Sequence, residues 1–209
     1  MKKYILLLIM VWSVSGGYAQ NEQEGEIQTL FSGQRSLGFY GALSLGYSRI
    51  NNQDALVSGG RLAMIFNHST AVGLAGYGFV NNLDEYRWYN EDVLSYSLAG
   101  GYGGIFIEPI IGGLKPVHVA FPVVFGLGGI GQVRNHWSGP WDAPYYDMPE
   151  TDLFFIVEPG VELEFNLARF FRAAAAMSYR YTSNIELVGV DPEVLNGLMF
   201  GLTFKFGKF

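Results

Sequence analysis

The sequence has no cysteine, little charge and no long apolar run beyond its N-terminus. Of 209 residues none is cysteine, 15% are charged and 49% are hydrophobic. The absence of cysteine excludes disulfide bonds, thiolate metal sites and a lipidated N-terminal cysteine. Because no run of about 18 apolar residues occurs in the rest of the chain, a helical membrane protein is disfavoured. The composition also excludes a disordered or collagenous chain, which leaves a soluble β-rich domain or a membrane β-barrel.

Residues 1–19 have the layout of a secretory signal peptide. Two lysines precede an apolar stretch over residues 4–12, and small residues follow up to Ala19. The stretch is too short to span a bilayer as a helix, so we expect cleavage near Ala19 rather than a retained membrane anchor. Loss of the two lysines takes the net charge from −6 to −8, which disfavours nucleic acid as a partner. We interpret residues 20–34 as a periplasmic lead-in and residues 35–209 as a single β domain.

Apolar residues recur at every second position in eight segments of this domain, which polar or glycine-rich breaks separate. This period is typical of β-strands. In the second segment Leu62 alternates with Arg61 and Ala63, and in the fourth we place Leu98 and Tyr102 on the apolar face. The apolar faces of the first and fifth segments comprise Leu37, Phe39, Leu43, Leu45 and Tyr47, and Val117, Val119, Phe121, Val123, Phe125 and Leu127.

The residues opposite the apolar faces indicate which way the strands face. They are mostly glycine, alanine and serine, which suit a narrow interior better than a solvated surface. We therefore predict an all-β fold, an eight-stranded antiparallel up-and-down transmembrane β-barrel, with apolar residues toward lipid and small or polar residues in the lumen. Closure of the ring also removes the strand edges that lipid does not tolerate. The alternative is a secreted soluble barrel whose apolar face forms a core that binds an apolar ligand.

The connections between the segments differ in length at the two predicted ends, as in bacterial outer-membrane barrels. If the N-terminus is periplasmic, the extracellular connections are residues 50–55, 81–92, 132–152 and 182–196. The periplasmic connections are then residues 67–69, 108–115 and 167–169.

The chain ends with the segment NGLMFGLTFKFGKF, whose last residue is Phe209. This segment resembles the closing strand of Gram-negative outer-membrane β-barrel proteins, which typically ends in an aromatic residue that the barrel-assembly machinery reads. The stretches PVHVAFPVVFGLGGIG and FFIVEPGVELEFNLARFFR are similar to small members of the same superfamily. The resemblance implies the barrel fold, a location in the cell outer membrane and Phe209 as an assembly signal. It implies no catalytic residues.

The sequence leaves open whether the last strands carry bulges at two positions. Pro159 costs a ladder hydrogen bond, and a bulge there would reverse the facing of Glu158. The apolar positions of the last strand are one residue out of step with Phe209, and a bulge at Gly207 would restore the phase.

Charged residues on the lumen face predict an internal ion-pair network. If the hairpin turn in VELEFNLARFFRAA centres on Ala168, Glu164 faces Arg172 in the lumen and Phe165 faces Phe171 toward lipid. Buried charges persist only when they are paired and hydrogen-bonded. The alternative is a solute or ion pathway with two lumen glutamates as a selectivity ring, although side chains can fill an eight-stranded interior. The predicted network comprises Arg61, Glu162, Glu164, Arg172, Arg180 and Lys205.

The three histidines do not suggest a metal site. His68 lies in a predicted turn, His118 near the periplasmic end of a strand and His136 in the longest loop. We predict no catalytic, cofactor-binding or metal-ligating residues, because catalysis needs a nucleophile, a base and an orienting group within hydrogen-bond reach. An alternative is a lipid-modifying site in the longest loop, built from His136 with Ser138 and either Asp142 or Asp147.

The longest loop also carries exposed aromatic residues, which we interpret as a girdle at the membrane interface or as a surface that stacks on sugars or a partner. These aromatic residues are Trp137, Trp141, Tyr145 and Tyr146.

From these observations we expect a non-enzymatic, monomeric outer-membrane barrel with a structural or surface-interaction role in its extracellular loops. Its partners are expected to be outer-membrane lipid and the barrel-assembly machinery, with no cofactor. The alternatives are transport of a small or apolar solute and, third, enzymatic modification of lipid acyl chains.

Overall fold

A computed structural model describes residues 36–81, 96–136, 145–147 and 150–209 of the chain. The predicted signal peptide (1–19) and lead-in (20–34) lie outside them. No helix formed by the described residues is long and apolar enough to cross a membrane. The strands within these residues are β1 Leu37–Ile50, β2 Gln53–Phe66, β3 Thr70–Asn81, β4 Tyr96–Ile111, β5 Val117–Ala120, β6 Val123–His136, β7 Tyr145–Asp147, β8 Thr151–Ala168, β9 Phe171–Thr182 and β10 Gly197–Lys208.

The strands form a closed antiparallel barrel. Apart from β5–β6 and β7–β8, consecutive strands pair with one another, and β1 also pairs with β10, which closes the ring. β5 and β6 share one position in the ring, because Phe121 and Pro122 interrupt the strand only briefly. The amide of Phe121 still donates to the carbonyl oxygen of Pro109 at 2.9 Å, and β7 extends the ladder beside β6. The described strands therefore confirm the predicted eight-stranded up-and-down barrel.

The outer surface of the barrel is apolar. Leu62 and Leu153 are 69% and 82% exposed, whereas Arg61 and Ala63 on either side of Leu62 are buried. The predicted faces of the first, second and fifth segments are confirmed in the same way. A continuous belt of exposed leucine, isoleucine and phenylalanine is stable in lipid and unfavourable in water. The molecule is therefore a transmembrane barrel, not a soluble barrel with an apolar core.

The predicted facing of the fourth segment is wrong. Leu98 and Tyr102 point into the lumen and are 3% and 5% exposed, while Ile105 and Ile107 point outward. Four glycines in this segment leave few large side chains from which to assign a face, and the structure shows one unbroken ladder along β4. β4 is also longer than predicted, so Glu108 belongs to a strand rather than to a turn.

The β8–β9 hairpin has the predicted facing but not the predicted register. In the ladder, Glu164 does not lie directly opposite Arg172, nor Phe165 opposite Phe171, because the register is offset by two residues from the predicted one. The ladder is irregular next to Asn166, whose amide donates to a carbonyl oxygen of the adjacent turn at 2.6 Å. An offset of two residues preserves the facing, because side chains alternate with a period of two.

No bulge reverses a face at Pro159 or Gly207, the two positions that the sequence left open. β10 keeps a regular register with β1 through Gly207, so this described ladder has no bulge there. The ring of Phe209 consequently turns toward the lumen and stacks on Tyr40, with 5.9 Å between ring centroids. β8 also keeps its alternation across Pro159, and Glu158 is buried in the lumen.

The two ends of the barrel differ, and we name them the turn end and the loop end. At the loop end, the first connection is only the turn of Asn51 and Asn52, shorter than predicted, with φ angles of 56° and 58°. Asparagine tolerates this left-handed conformation better than most residues. The last connection, residues 183–196, folds into the barrel instead of extending from it as expected. The turn end has the connections 67–69, 112–116 and 169–170.

Candidate functional site

The lumen contains two layers of inward-facing side chains. We name the layer nearer the turn end the ionic layer and the layer nearer the loop end the apolar layer. The ionic layer comprises Tyr40, Arg61, Glu108, His118, Glu162, Glu164, Arg172 and Lys205. The apolar layer comprises Ile50, Ala55, Val57, Phe79, Leu98, Tyr102, Ile130, Phe154, Ile156, Ile185, Leu187, Val194, Leu195 and Met199.

Lys205 lies at the centre of the ionic layer. Its Nζ is 2.8 Å from Glu108 Oε1, 2.8 Å from Glu162 Oε2, and also donates to Glu164. The three carboxylates have oxygen atoms within 4.8 Å of one another, a spacing that suits a metal ion. The ammonium group of Lys205 supplies the positive charge here. Without it, the three negative charges would repel one another in a site shielded from water.

Arg61 ties three strands together across the lumen. Its Nη1 is 3.1 Å from Glu108 Oε2 on β4, and its Nη2 pairs with Glu162 on β8. The hydroxyl of Tyr40 donates to the same Glu108 oxygen at 3.0 Å. These bonds join β1, β2, β4 and β8, which are not all neighbours in the sheet. The ionic layer therefore cross-links the barrel through its interior.

The edge of the ionic layer nearest the turn end is built around Glu164. Its Oε2 is 2.8 Å from His118 Nε2 and 3.4 Å from Arg172 Nη1. Arg172 also donates from Nη2 to the carbonyl oxygen of Gly113 at 3.2 Å, and its Cζ lies 3.9 Å from the centroid of the Phe209 ring. The C-terminal residue thus packs against the ionic layer, and its predicted role as an assembly signal stays a prediction.

The ionic layer is balanced in charge. Its three glutamates face two arginines and one lysine, and each of these six side chains is at most 5% exposed. Taking ions out of water is costly, and direct pairing with several partners offsets that cost. Every carboxylate in the layer is engaged by at least two cationic or hydroxyl groups. This arrangement is suited to holding strands together and offers no solvent-accessible acid, base or nucleophile.

The sequence identified most of the ionic layer but not all of it. Tyr40, Glu108 and His118 were not included in the predicted network. Glu108 lies in a predicted turn, and His118 lies near the periplasmic end of a predicted strand with no partner assigned to it. Arg180 was included wrongly, because it lies outside the layer and has no carboxylate within ion-pair distance among the described residues. The predicted members that the structure brings together are Arg61, Glu162, Glu164, Arg172 and Lys205.

The apolar layer is completed by the last connection, which we name the plug segment (residues 183–196). Four of its side chains are buried in the lumen against residues of the barrel wall. Four hydrogen bonds among the described residues hold its backbone to the barrel wall. Ser183 N donates to the Phe155 carbonyl oxygen at 3.0 Å, Glu186 N to Asp152 Oδ2 at 2.6 Å and Val188 N to Glu150 at 3.1 Å, and Gln132 Nε2 donates to the Val188 carbonyl oxygen at 3.0 Å. The four buried side chains are Ile185, Leu187, Val194 and Leu195.

Two charged residues lie where the layers meet. Glu158 accepts hydrogen bonds from Tyr102 and Ser178, each at 2.5 Å. Arg180 donates to Ser48. Both charged side chains are buried. With them, the buried side chains of the described lumen include four glutamates and, leaving His118 aside, four cations.

The predicted loop features lie mainly outside the described residues. Trp137, Ser138, Trp141 and Asp142 are not among them. His136, Tyr145, Tyr146 and Asp147 belong to the β6–β7 ladder, of which the backbone alone is described. The predicted aromatic surface and the alternative catalytic group therefore stay untested.

Comparison with known proteins finds solved structures that are similar to this chain. No protein-family model and no curated protein matches the chain. Neisserial surface protein A (NspA) has 10% identity and a TM-score of 0.49, over 85% of this chain and 100% of that chain. The N-terminal β-barrel domain of Pseudomonas aeruginosa OprF has 14% identity and a TM-score of 0.41, over 80% and 96%. Ail, the attachment invasion locus protein of Yersinia pestis, has 16% identity and a TM-score of 0.39, over 81% and 97%.

The physical features of the barrel agree with the location expected from the sequence. A closed antiparallel ring leaves no unpaired strand edge, and its apolar belt faces outward. Such barrels, with short turns at one end and longer connections at the other, are the spanning structures of outer membranes. The chain is an outer-membrane β-barrel.

Proposed function

We propose that this outer-membrane barrel is a non-enzymatic, monomeric protein with a structural or surface-interaction role, carried by the connections at its loop end. The observation that supports this most strongly is the filled lumen. Ion pairs cross it in one layer and apolar side chains fill it in the other. A barrel filled in this way presents a rigid platform for its exposed connections rather than a channel.

The filled lumen favours this proposal over transport of a small or apolar solute. A solute on the barrel axis would have to pass both the plug segment and the salt bridges around Lys205. The internal cavity beside Arg61 and Glu158 has a volume of about 30 Å³, which is room for about two water molecules. Purified protein in planar bilayers should therefore give no steady conductance, and a stable ohmic current would support the transport alternative.

The absence of native cysteine makes the orientation directly testable. Val188 in the plug segment and Leu114 in a connection of the turn end are both 77% exposed. They are a matched pair for single-cysteine substitution, because each is an exposed apolar residue outside the strands. On intact cells, a membrane-impermeant maleimide should label Val188→Cys and not Leu114→Cys.

After the outer membrane is permeabilised, both variants should react to a similar extent. The reverse pattern on intact cells would place the turn end outside and refute a surface role for the loop-end connections. Equal labelling of both variants on intact cells would refute a spanning barrel.

An unchanged lipid profile after deletion of the gene would remove the lipid-modifying alternative.

We also propose that the barrel-assembly machinery inserts the protein into the outer membrane as a folded barrel. The unheated protein from the outer-membrane fraction should migrate differently in SDS from the boiled protein, because small closed barrels resist SDS until heated. Recovery in the soluble periplasm without such a shift would contradict the proposal.

A further inference from the structure

Arg180 differs from the other buried arginines of the lumen. It is 1% exposed and donates from Nη2 to Ser48. Its Nε and Nη1 have no hydrogen-bond partner among the described residues. Arg61 and Arg172 each form a salt bridge with a glutamate. A buried guanidinium without an anion is unfavourable, so Arg180 has an unused capacity to bind one.

The acidic residue nearest to Arg180 in the ladder is engaged elsewhere. The β8–β9 register pairs Val157 with Tyr181, which places Glu158 opposite Arg180. The Glu158 carboxylate instead accepts the short hydrogen bonds from Tyr102 and Ser178. The barrel wall therefore does not neutralise Arg180 by direct pairing.

The surroundings of Arg180 are apolar. Its Cζ lies 6.0 Å from the ring centroid of Phe79, a member of the apolar layer. Ile156, another member, is the lumen-facing residue of β8 immediately before Glu158. The arginine thus borders a compartment that the ionic layer separates from the turn end.

The plug segment occupies this compartment without belonging to the sheet. Its buried side chains come from a non-strand connection, and its release would break no strand pairing. The plug segment turns at Gly189, where φ is 76°. The Cβ of a larger residue at this position would have no atom within 4 Å. A connection that lies outside the sheet can open locally while the barrel stays folded.

We propose that the apolar layer is a binding site for a single-chain amphipathic carboxylate, whose head group pairs with Arg180 and whose acyl chain replaces the buried side chains of the plug segment. Those four side chains contain about 15 carbon atoms, which matches an acyl chain of about 12 to 16 carbons. The carboxylate supplies the anion that Arg180 lacks. Since the ionic layer closes the lumen beyond the site, the ligand binds there and does not pass through.

The test uses the full mature protein in phospholipid vesicles and a photoreactive fatty acid of about 14 carbons. The matching photoreactive alcohol is the control, because it has the same chain and no charge. Cross-linked peptides should carry the label on lumen-facing residues such as Phe79 and Ile156, and unlabelled myristate should compete. Labelling by the alcohol should be about tenfold weaker, which corresponds to about 1.4 kcal/mol.

Two variants with opposite expected effects separate a specific site from general lipid contact. Arg180→Gln should lower labelling by about fivefold, while Arg49→Gln, at a 72% exposed side chain of the rim, should leave it unchanged. Leu195→Ala should raise labelling about threefold, because it weakens the segment that competes with the ligand. Each variant is first checked for a heat-dependent shift in SDS, which reports a folded barrel.

The proposal is overturned by equal labelling from acid and alcohol, or by label confined to outward residues such as Phe155. It is also overturned if Leu195→Ala leaves labelling unchanged, a result that does not depend on whether Arg180→Gln folds. This inference depends on the barrel fold and not on the proposed surface role. Its failure would leave the cysteine-labelling test of the surface role unaffected.

Discussion

The two layers of the lumen are filled by opposite means. The ionic layer joins distant strands through salt bridges, and every one of its described members is a residue of a strand. The apolar layer is completed by side chains from a connection that has no strand. Removal of one member of a buried ion pair leaves the other charge without a partner. Truncation of a buried apolar side chain loses only its contacts and leaves a cavity. We therefore expect the ionic layer to determine whether the barrel folds. We expect the apolar layer to determine how readily the plug segment leaves the lumen at the loop end.

The largest effect should come from Lys205→Met, because it removes the cation shared by three buried carboxylates. We expect the free energy of unfolding to fall by about 3 to 5 kcal/mol, or the barrel not to form. Urea unfolding in vesicles, followed by the heat-dependent shift in SDS, measures this. Lys208→Met, at an exposed lysine of the same strand, should change stability by less than about 0.5 kcal/mol. Equal effects of the two substitutions would refute the expectation that the ionic layer determines folding.

Glu164→Ala should have the next largest effect. It removes the partner of His118 and Arg172 and one partner of Lys205. We expect a loss of roughly 3 kcal/mol in the same assay, because Arg172 remains buried without a carboxylate. Glu186→Ala, at an exposed side chain, is the control. A loss below about 0.5 kcal/mol would refute a stabilising role for the ion pairs.

Leu195→Ala should affect the apolar layer and leave the barrel folded. The side chain is 1% exposed, and its truncation should weaken docking of the plug segment by about 2 kcal/mol. Proteolysis within residues 183–196 should become faster, while the heat-dependent shift is kept. Val188→Ala, at a largely exposed site of the same segment, should not change the rate of cleavage. Loss of the folded barrel in Leu195→Ala would show that the two layers are not independent.

The smallest effect is expected where the layers meet. Tyr102→Phe removes the hydroxyl that donates to Glu158 and keeps the ring in the apolar layer. The free energy of unfolding should fall by about 1 to 2 kcal/mol, because Glu158 retains Ser178 as a donor. Tyr181→Phe, on the outer face, should have no comparable effect. A loss as large as that of Lys205→Met would assign Glu158 to the ionic layer.

The fold was largely predictable because alternation is a local property. Leu62 and Arg61 face opposite sides in any strand that contains both, whatever its partners. Where large apolar residues were sparse, as around Tyr102, the local pattern was ambiguous and the predicted face was wrong. The β8–β9 register was also mispredicted, because the Asn166 amide bonds to a turn that is distant in sequence.

The candidate site was predictable in its chemistry and only partly in its membership. Charged residues on a lumen face require partners, so a network was expected from composition and facing. The sequence did not indicate that Glu108 reaches Lys205, which lies 97 positions away. Nor did it indicate that Arg180 lies beside Phe79 without a carboxylate partner.

By itself, the sequence determined most of the strands, most of their inward and outward faces and the presence of buried charge, because these depend on residue type and a period of two. The tertiary structure alone decided which charges meet, how the two layers divide the lumen and that residues 183–196 fill one of them. Ion pairs and plug contacts join residues far apart in sequence. Their formation depends on the closure and register of the whole ring, which no local pattern encodes.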